Sequence, residues 1–223
     1  HPAAAVDHLL AAGEREQAML LMRLVGPDLL GSGQLRTLRN ILGRMSADGE
    51  LDAVCSLLSG WDHYLTGRYE IARHLLDRAN ATLPDDVDPM RTMPLQINLA
   101  LGTGDVGAAL SGAREVVALG GLEARPSELI TATGAAFTWA GLVDEARPVL
   151  AIAFARTQAE RRVTAHAMAL VAVAVVELHA GAPGRTAHHA NEDAPRPATL
   201  PLPGIQLALH ALVRLQFAIV GLD

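Results

Sequence analysis

The stretch LALGTGDVGAAL, residues 99–110, fits two incompatible folds. Gly102, Gly104 and Gly107 spell G-x-G-x-x-G, with Glu123 about where a ribose-binding carboxylate would fall. That fingerprint belongs between a strand and a helix, where backbone amides close on a pyrophosphate. Leu95-Gln96-Ile97-Asn98-Leu99 alternates apolar and polar residues, as an incoming strand would. The same stretch also contains TGDVGAA, which recurs as TGRYEIA from Thr66 and AGLVDEA from Ala140. Gly67, Gly104 and Gly141 are evenly spaced by 37 residues, each with Tyr69, Val106 or Val143 at +2 and Ala72, Ala109 or Ala146 at +5. An earlier copy, AGEREQA, has Gly13 and Ala18, and a weaker one, AGAPGRTA, has Gly181 and Thr186.

A period in the mid-thirties, with glycine at a tight turn and a small residue where two helices touch, is the pattern of a helix–turn–helix solenoid. The glycine supplies positive φ at a helix end, and the alanine lets the paired helix approach. Three turns share one register and nothing beside them builds a parallel sheet, so the glycines read as a repeat turn, not a cofactor loop. Glu123 loses its special meaning with that choice.

Composition agrees. The chain of 223 residues is 50% hydrophobic but only 3% aromatic, with the apolar share mostly Ala, Leu and Val, a balance that favours closely packed helices. A net charge of −6 leaves no basic footprint for phosphates, so direct nucleic-acid contact is not expected. All 18 basic residues are arginine, which excludes a P-loop lysine, a Schiff-base lysine and a Ser-Lys dyad. Cys55 is the single cysteine, so no internal disulfide or cysteine zinc site forms, and a reducing cytoplasm is the expected compartment. The most apolar run, 165–176, is too short to cross a bilayer and reads as a buried helix. Opening at His1-Pro2 with neither start methionine nor signal peptide, the chain is expected to be excised from a longer protein.

The expected organisation is one all-α domain over 1–223, a right-handed superhelix of degenerate tetratricopeptide-like hairpins. N-terminal hairpins occupy 1–52, with one turn at Gly13 and a second helix face spaced by Leu35, Leu38 and Ile41 or Leu42. Three repeats occupy 53–181, with Pro148 placed at the end of a first helical turn. A loop with five prolines, holding only a short helix, covers 182–204, and an apolar helix over 205–221 closes the chain. Ile205, Leu207, Leu209, Leu212, Val213, Leu215, Phe217 and Ile219 make that helix apolar nearly all round. Either further repeats of the parent or another chain, as in a homo-oligomer, must cover it.

Residues 53–84, AVCSLLSGWDHYLTGRYEIARHLLDRANATLP, resemble a tetratricopeptide repeat, with Gly60, Gly67, Tyr69, Ala72, Leu76, Ala79 and Pro84 at that family's pattern positions. Residues 3–45, followed by YLTGRYEIA, resemble the start of the helical superhelix in MalT-type LuxR-family transcriptional regulators, and the likeness extends loosely to Gly181. The resemblance implies a non-catalytic module that senses an effector or binds a partner protein between an NTPase core and a DNA-binding domain. Neither flanking module has its motifs here. The alternative is a stand-alone tetratricopeptide adaptor that holds a peptide or helix.

By the family's register the first helix of each pair lines the concave groove. That places Trp61 and Tyr64, with Val54 and Leu57, from the first copy; Arg91 and Asn98, with Leu101, from the second; and Glu128, Thr131, Thr138 and Trp139 from the third. Aromatic anchors with a few convergent polar groups suit a small ligand or peptide. No catalytic, cofactor or metal residues are expected. His188 and His189 with Asn191, Glu192 and Asp193 lack metal-pair spacing, and Ser56, Asp62 and His63 lack a nucleophile elbow.

Overall fold

Five helices end in the same way. At Gly13, Gly33, Gly67 and Gly141 (φ between +74° and +80°) and at Arg161 (φ +55°) the backbone turns left-handed. The amide of the left-handed residue and the next amide donate back to carbonyls three and five residues earlier. Examples are Gly67 to Tyr64 with Arg68 to His63, and Arg161 to Gln158 with Arg162 to Thr157. These paired bonds satisfy the carbonyls that a helix end leaves open. Gly104 (φ +81°) sits in the same register.

A computed structural model describes residues 2–47, 49–84 and 87–179. Among them are α1 Pro2–Ala11, α2 Arg15–Gly31, α3 Leu35–Ala47, α4 Ala53–Leu65, α5 Tyr69–Ala81, α6 Met93–Gly102, α7 Val106–Ala118, α8 Ser127–Trp139, α9 Val143–Ala159 and α10 Val163–His179. Two short 3-10 turns, Pro89–Arg91 and Leu122–Ala124, precede α6 and α8. The described residues contain no strand, so the protein is all-α. The helices α5, α7 and α9 start 37 residues apart, and α4, α6 and α8 end 37 residues apart. Of the first helices only α6 starts late, behind Pro89 and with Pro94 in its opening turn.

Two compact units divide between Thr103 and Gly104. In residues 1–103, α1, α2 and α3 pack together, α4 lies on α2 and α3, α5 pairs with α4, and α6 rests on both. In residues 104–223, α8 is surrounded by α7, α9 and α10, and α9 also packs on α10. The small residues of the repeat sit at the contacts: Ala18, Ala72, Ala109 and Ala146 have no exposed surface. Farther along the second helices the same holds for Ala79, Val116 and Ala153. Leu35, Leu38, Ile41 and Leu42 are buried on one face of α3.

Two turns were invisible in the repeat pattern. Gly33 separates α2 from α3, and Glu160-Arg161-Arg162 separates α9 from α10 with an arginine in the conformation glycine usually takes. Pro148 is the sixth residue of α9, deeper than a first turn, and the helix continues past it. The weaker copy at Gly181, the proline-rich loop, the closing helix and the His188 cluster lie outside the described residues.

Arginine ties the loops between hairpins. The Arg15 guanidinium donates to the carbonyls of Met45 and Glu50, Arg78 to Leu51 and the Ser56 hydroxyl, and Arg156 to Glu123 and Arg125. A planar fork reaches two acceptors at once, which the point charge of lysine does poorly. The lysine-free composition suits this use.

Candidate functional site

Residues 95–101 lie in α6, so no strand enters the G-x-G-x-x-G stretch. Gly102 ends that helix against the rings of Tyr69 and Tyr64, where an added Cβ would stand 3.0 and 3.3 Å from ring carbons. At the start of α7 the Asp105 carboxylate accepts from the Ala108 amide at 2.9 Å. An acidic cap occupies the seat a pyrophosphate would need, and its charge repels one.

Three of the proposed lining residues meet in the first unit. Trp61 and Tyr64 stack edge to face with centroids 5.7 Å apart, and Tyr64 stands 5.7 Å from Tyr69. The Tyr64 hydroxyl donates to Asn98 Oδ1 at 3.5 Å, and Asn98 Nδ2 donates to the Pro94 carbonyl at 2.7 Å. The sequence pattern brings them together because Tyr64 ends α4, Tyr69 starts α5 after the Gly67 turn, and Asn98 and Gly102 share a face of α6. Burial, and then the neighbouring Tyr69, push the Tyr64 phenol above its ordinary value, so it stays a neutral donor. Trp61 is only 7% exposed and Asn98 is buried. Val54 and Leu57 are buried too, so this face of α4 is core over most of its length and Tyr64 alone keeps an edge in solvent. Arg91 is exposed on the turn before α6.

In the second unit the lining residues separate by role. Thr131 and Thr138 are buried and donate to the carbonyls of Ser127 and Gly134 four residues back, both at 2.8 Å. This local bond satisfies a buried hydroxyl and leaves nothing directed at a ligand. Glu128 is half-buried and pairs with Arg162 at 3.0 Å, joining the start of α8 to the start of α10. Trp139, at the end of α8, is 48% exposed.

A charged cluster beside the aromatic one was not anticipated. Asp62, with its side chain 6% exposed, accepts from Arg39 at 2.7, 2.9 and 3.1 Å, and Arg68 stands 3.9 Å away. The hydrogen bond to Asp62 raises the Arg39 pKa further. Burial, then the Arg68 charge, lower the pKa of adjacent His63, whose Nδ1 is buried without a hydrogen-bond partner. Ser56 is engaged by Arg78 and Leu51, and Asp62 by Arg39, so the trio of Ser56, Asp62 and His63 forms no nucleophile–base relay. An Arg-x22-Asp spacing carries no local signal; only the packing of α3 on α4 makes the pair.

Among the described residues no group of three His, Cys, Asp or Glu side chains is placed to hold a metal ion. None of the described helices is long and apolar enough to cross a membrane. Comparison with family models, curated proteins and solved structures finds no match.

Proposed function

We propose that the chain is a non-catalytic helical-hairpin module that senses an effector or binds a partner protein in the bacterial cytoplasm, as in MalT-type LuxR-family regulators. The observation that carries this reading is the repeat itself: three glycine turns in one 37-residue register, each followed at +5 by an alanine without exposed surface. Such arrays bind by surface, and small shifts between neighbouring hairpins add along them. An occupant that prefers one arrangement of hairpins biases it, and that bias is the signal. The contacts fall to lining residues that keep access to solvent, Tyr64 and Arg91 in the first unit and Glu128 and Trp139 in the second.

The gene provides one test. A regulator requires a P-loop module encoded upstream and a helix-turn-helix downstream; a reading frame lacking both refutes the regulator and leaves the adaptor. A thermal-shift screen against NAD, ATP and divalent metals provides the other. A flat response is expected and counts against a nucleotide- or metal-dependent enzyme; a saturable rise in melting temperature followed by turnover of the bound compound overturns the non-catalytic reading.

A further inference from the structure

The cluster around Asp62 gathers more positive charge than its carboxylate neutralises. Asp62 lies in α4 with its side chain 6% exposed, and arginines from two other elements converge on it. Arg39, from α3, donates Nε and Nη2 to the carboxylate oxygens. Arg68, from the turn between α4 and α5, stands 3.9 Å away through Nη2 and donates Nε to the Thr66 hydroxyl at 3.1 Å. That hydroxyl is fixed in turn, donating to the Asp62 carbonyl at 2.9 Å. Both guanidiniums are therefore anchored along the Nε edge, while 48% of each side chain is exposed.

The helix α3 extends the patch. Its sequence, LRTLRNILGRMSA, carries three arginines and no carboxylate, and the charge of Arg44 is met by Asp7 at 2.6 Å. Leucines, Ile41 and Met45 turn the opposite face of α3 inward, so Arg36 stands exposed one turn before Arg39. Arg36, Arg39 and Arg68 share the single carboxylate of Asp62, which leaves an excess of two positive charges. His63 beside them adds none near neutral pH, because burial and then the Arg68 charge hold its pKa down. The surface next to Arg36 is low: Asn40 is exposed, and a Cβ added at Gly43 would meet nothing within 4 Å. Another chain can therefore come close to this face.

We infer that Arg36, Arg39 and Arg68 form a docking face for an acidic segment of a partner protein. Carboxylates accept from guanidiniums with strong, directional bonds. Two of the three guanidiniums are already held by Asp62 and Thr66, so less side-chain freedom is lost when the partner binds. A nucleic acid suits the face less well. The chain's charge of −6 repels a long polyanion beyond the patch, and three arginines neutralise only about three phosphates. The inference rests on the partner-binding reading only in taking the occupant to be a protein. It uses none of the proposed groove residues, so its failure would leave that reading standing.

Fluorescence anisotropy tests it, with a labelled oligoglutamate of about eight residues titrated with the full chain at about 50 mM salt, where exposed charges are little screened. Saturable binding is expected, and an oligoglutamine of the same length should not bind. Arg36→Gln with Arg68→Gln should weaken the affinity about 2–30-fold, the range for two exposed ion pairs. Arg73→Gln with Arg114→Gln removes the same charge from exposed positions outside the patch and should leave the affinity unchanged. Arg39 is left in place because its removal would strand the buried Asp62 carboxylate. Absence of binding, or equal loss in the two double variants, refutes the face. Tighter binding of an oligothymidylate, weakened by the same two substitutions, makes it a nucleic-acid surface and overturns the proposal. So does displacement of the peptide by inorganic phosphate far more effectively than by chloride at equal ionic strength, since a phosphoryl group would then be the preferred anion. A measurement on the unaltered chain stands apart from any effect of substitution on folding: affinity must fall as salt is added, and a salt-independent affinity refutes the inference.

Discussion

Gly134→Ala and Gly43→Ala are the same substitution inside two helices, and the packing predicts opposite signs. Alanine gains about 0.9 kcal/mol over glycine in a helix interior. At Gly43, exposed on α3 with nothing within 4 Å of an added Cβ, that gain is the whole effect. At Gly134 the new methyl would stand 2.5 Å from Leu150 Cδ2 and 2.8 Å from its Cγ. Leu150 is 1% exposed, so its side chain must shift within a packed core to admit the methyl. Overpacking of this kind costs about 1–3 kcal/mol. The net for Gly134→Ala is therefore a loss of about 1 kcal/mol, against a gain of similar size at Gly43. For a chain of this length each kcal/mol moves Tm by about 2–4 °C. Urea unfolding followed by far-UV circular dichroism reads both as midpoint shifts at constant m. In a Leu150→Ala background the clash is gone, so Gly134→Ala should there stabilise, a coupling of about 1–3 kcal/mol. If Gly134→Ala stabilises the unaltered chain as much as Gly43→Ala does, the close crossing of α8 and α9 is wrong.

Arg161→Gly removes a left-handed side chain worth about 1–2 kcal/mol of strain and loses about 0.4–1 kcal/mol to unfolded-state entropy. A net stabilisation of roughly 0.5–1 kcal/mol is expected in urea, and a destabilised variant would mean that the arginine side chain holds the α9–α10 turn. His63 carries a pH signature: its folded pKa lies below the ordinary 6.5, so the unfolded chain binds the proton first. Its contribution is intact above pH 6.5 and is lost as pH falls from there through the lowered folded value. Unfolding midpoints taken across that window should flatten in His63→Gln, and an unchanged slope would place the acid sensitivity elsewhere.

Much of the fold was legible because its signals are local. Glycine at a helix end and alanine five residues on need only their own backbone geometry and one neighbouring helix, so Gly67, Gly104 and Gly141 announced the hairpins directly. The same turn at Arg161 carried no signal, because an arginine adopts positive φ only when the hydrogen bonds and packing around it override its own preference. Gly33 was hidden for a simpler reason: Leu38 stands at its +5 position in place of alanine.

The candidate site was legible in part. Residues 61, 64 and 98 were named from repeat register and do meet, since register determines which faces of α4 and α6 turn toward each other. Register could not tell an inner lining from a core. Thr131 and Thr138 read as polar lining because a hydroxyl in a sequence shows no partner; in the helix each bonds the carbonyl four residues back. The Arg39–Asp62 pair escaped notice because its members are 23 residues apart and share no periodic position.

Periodicity in the chain was enough to specify an all-α array and the spacing of its hairpins, since each repeat is stabilised mainly by its immediate neighbours. Exposure was decided by tertiary packing. Both tryptophans lie on first helices, Trp61 one turn before the end of α4 and Trp139 at the last residue of α8, and Trp61 is enclosed by its unit while Trp139 is left in solvent. That outcome depends on which helices lie alongside α4 and α8, a property of the assembled structure that no window of sequence contains.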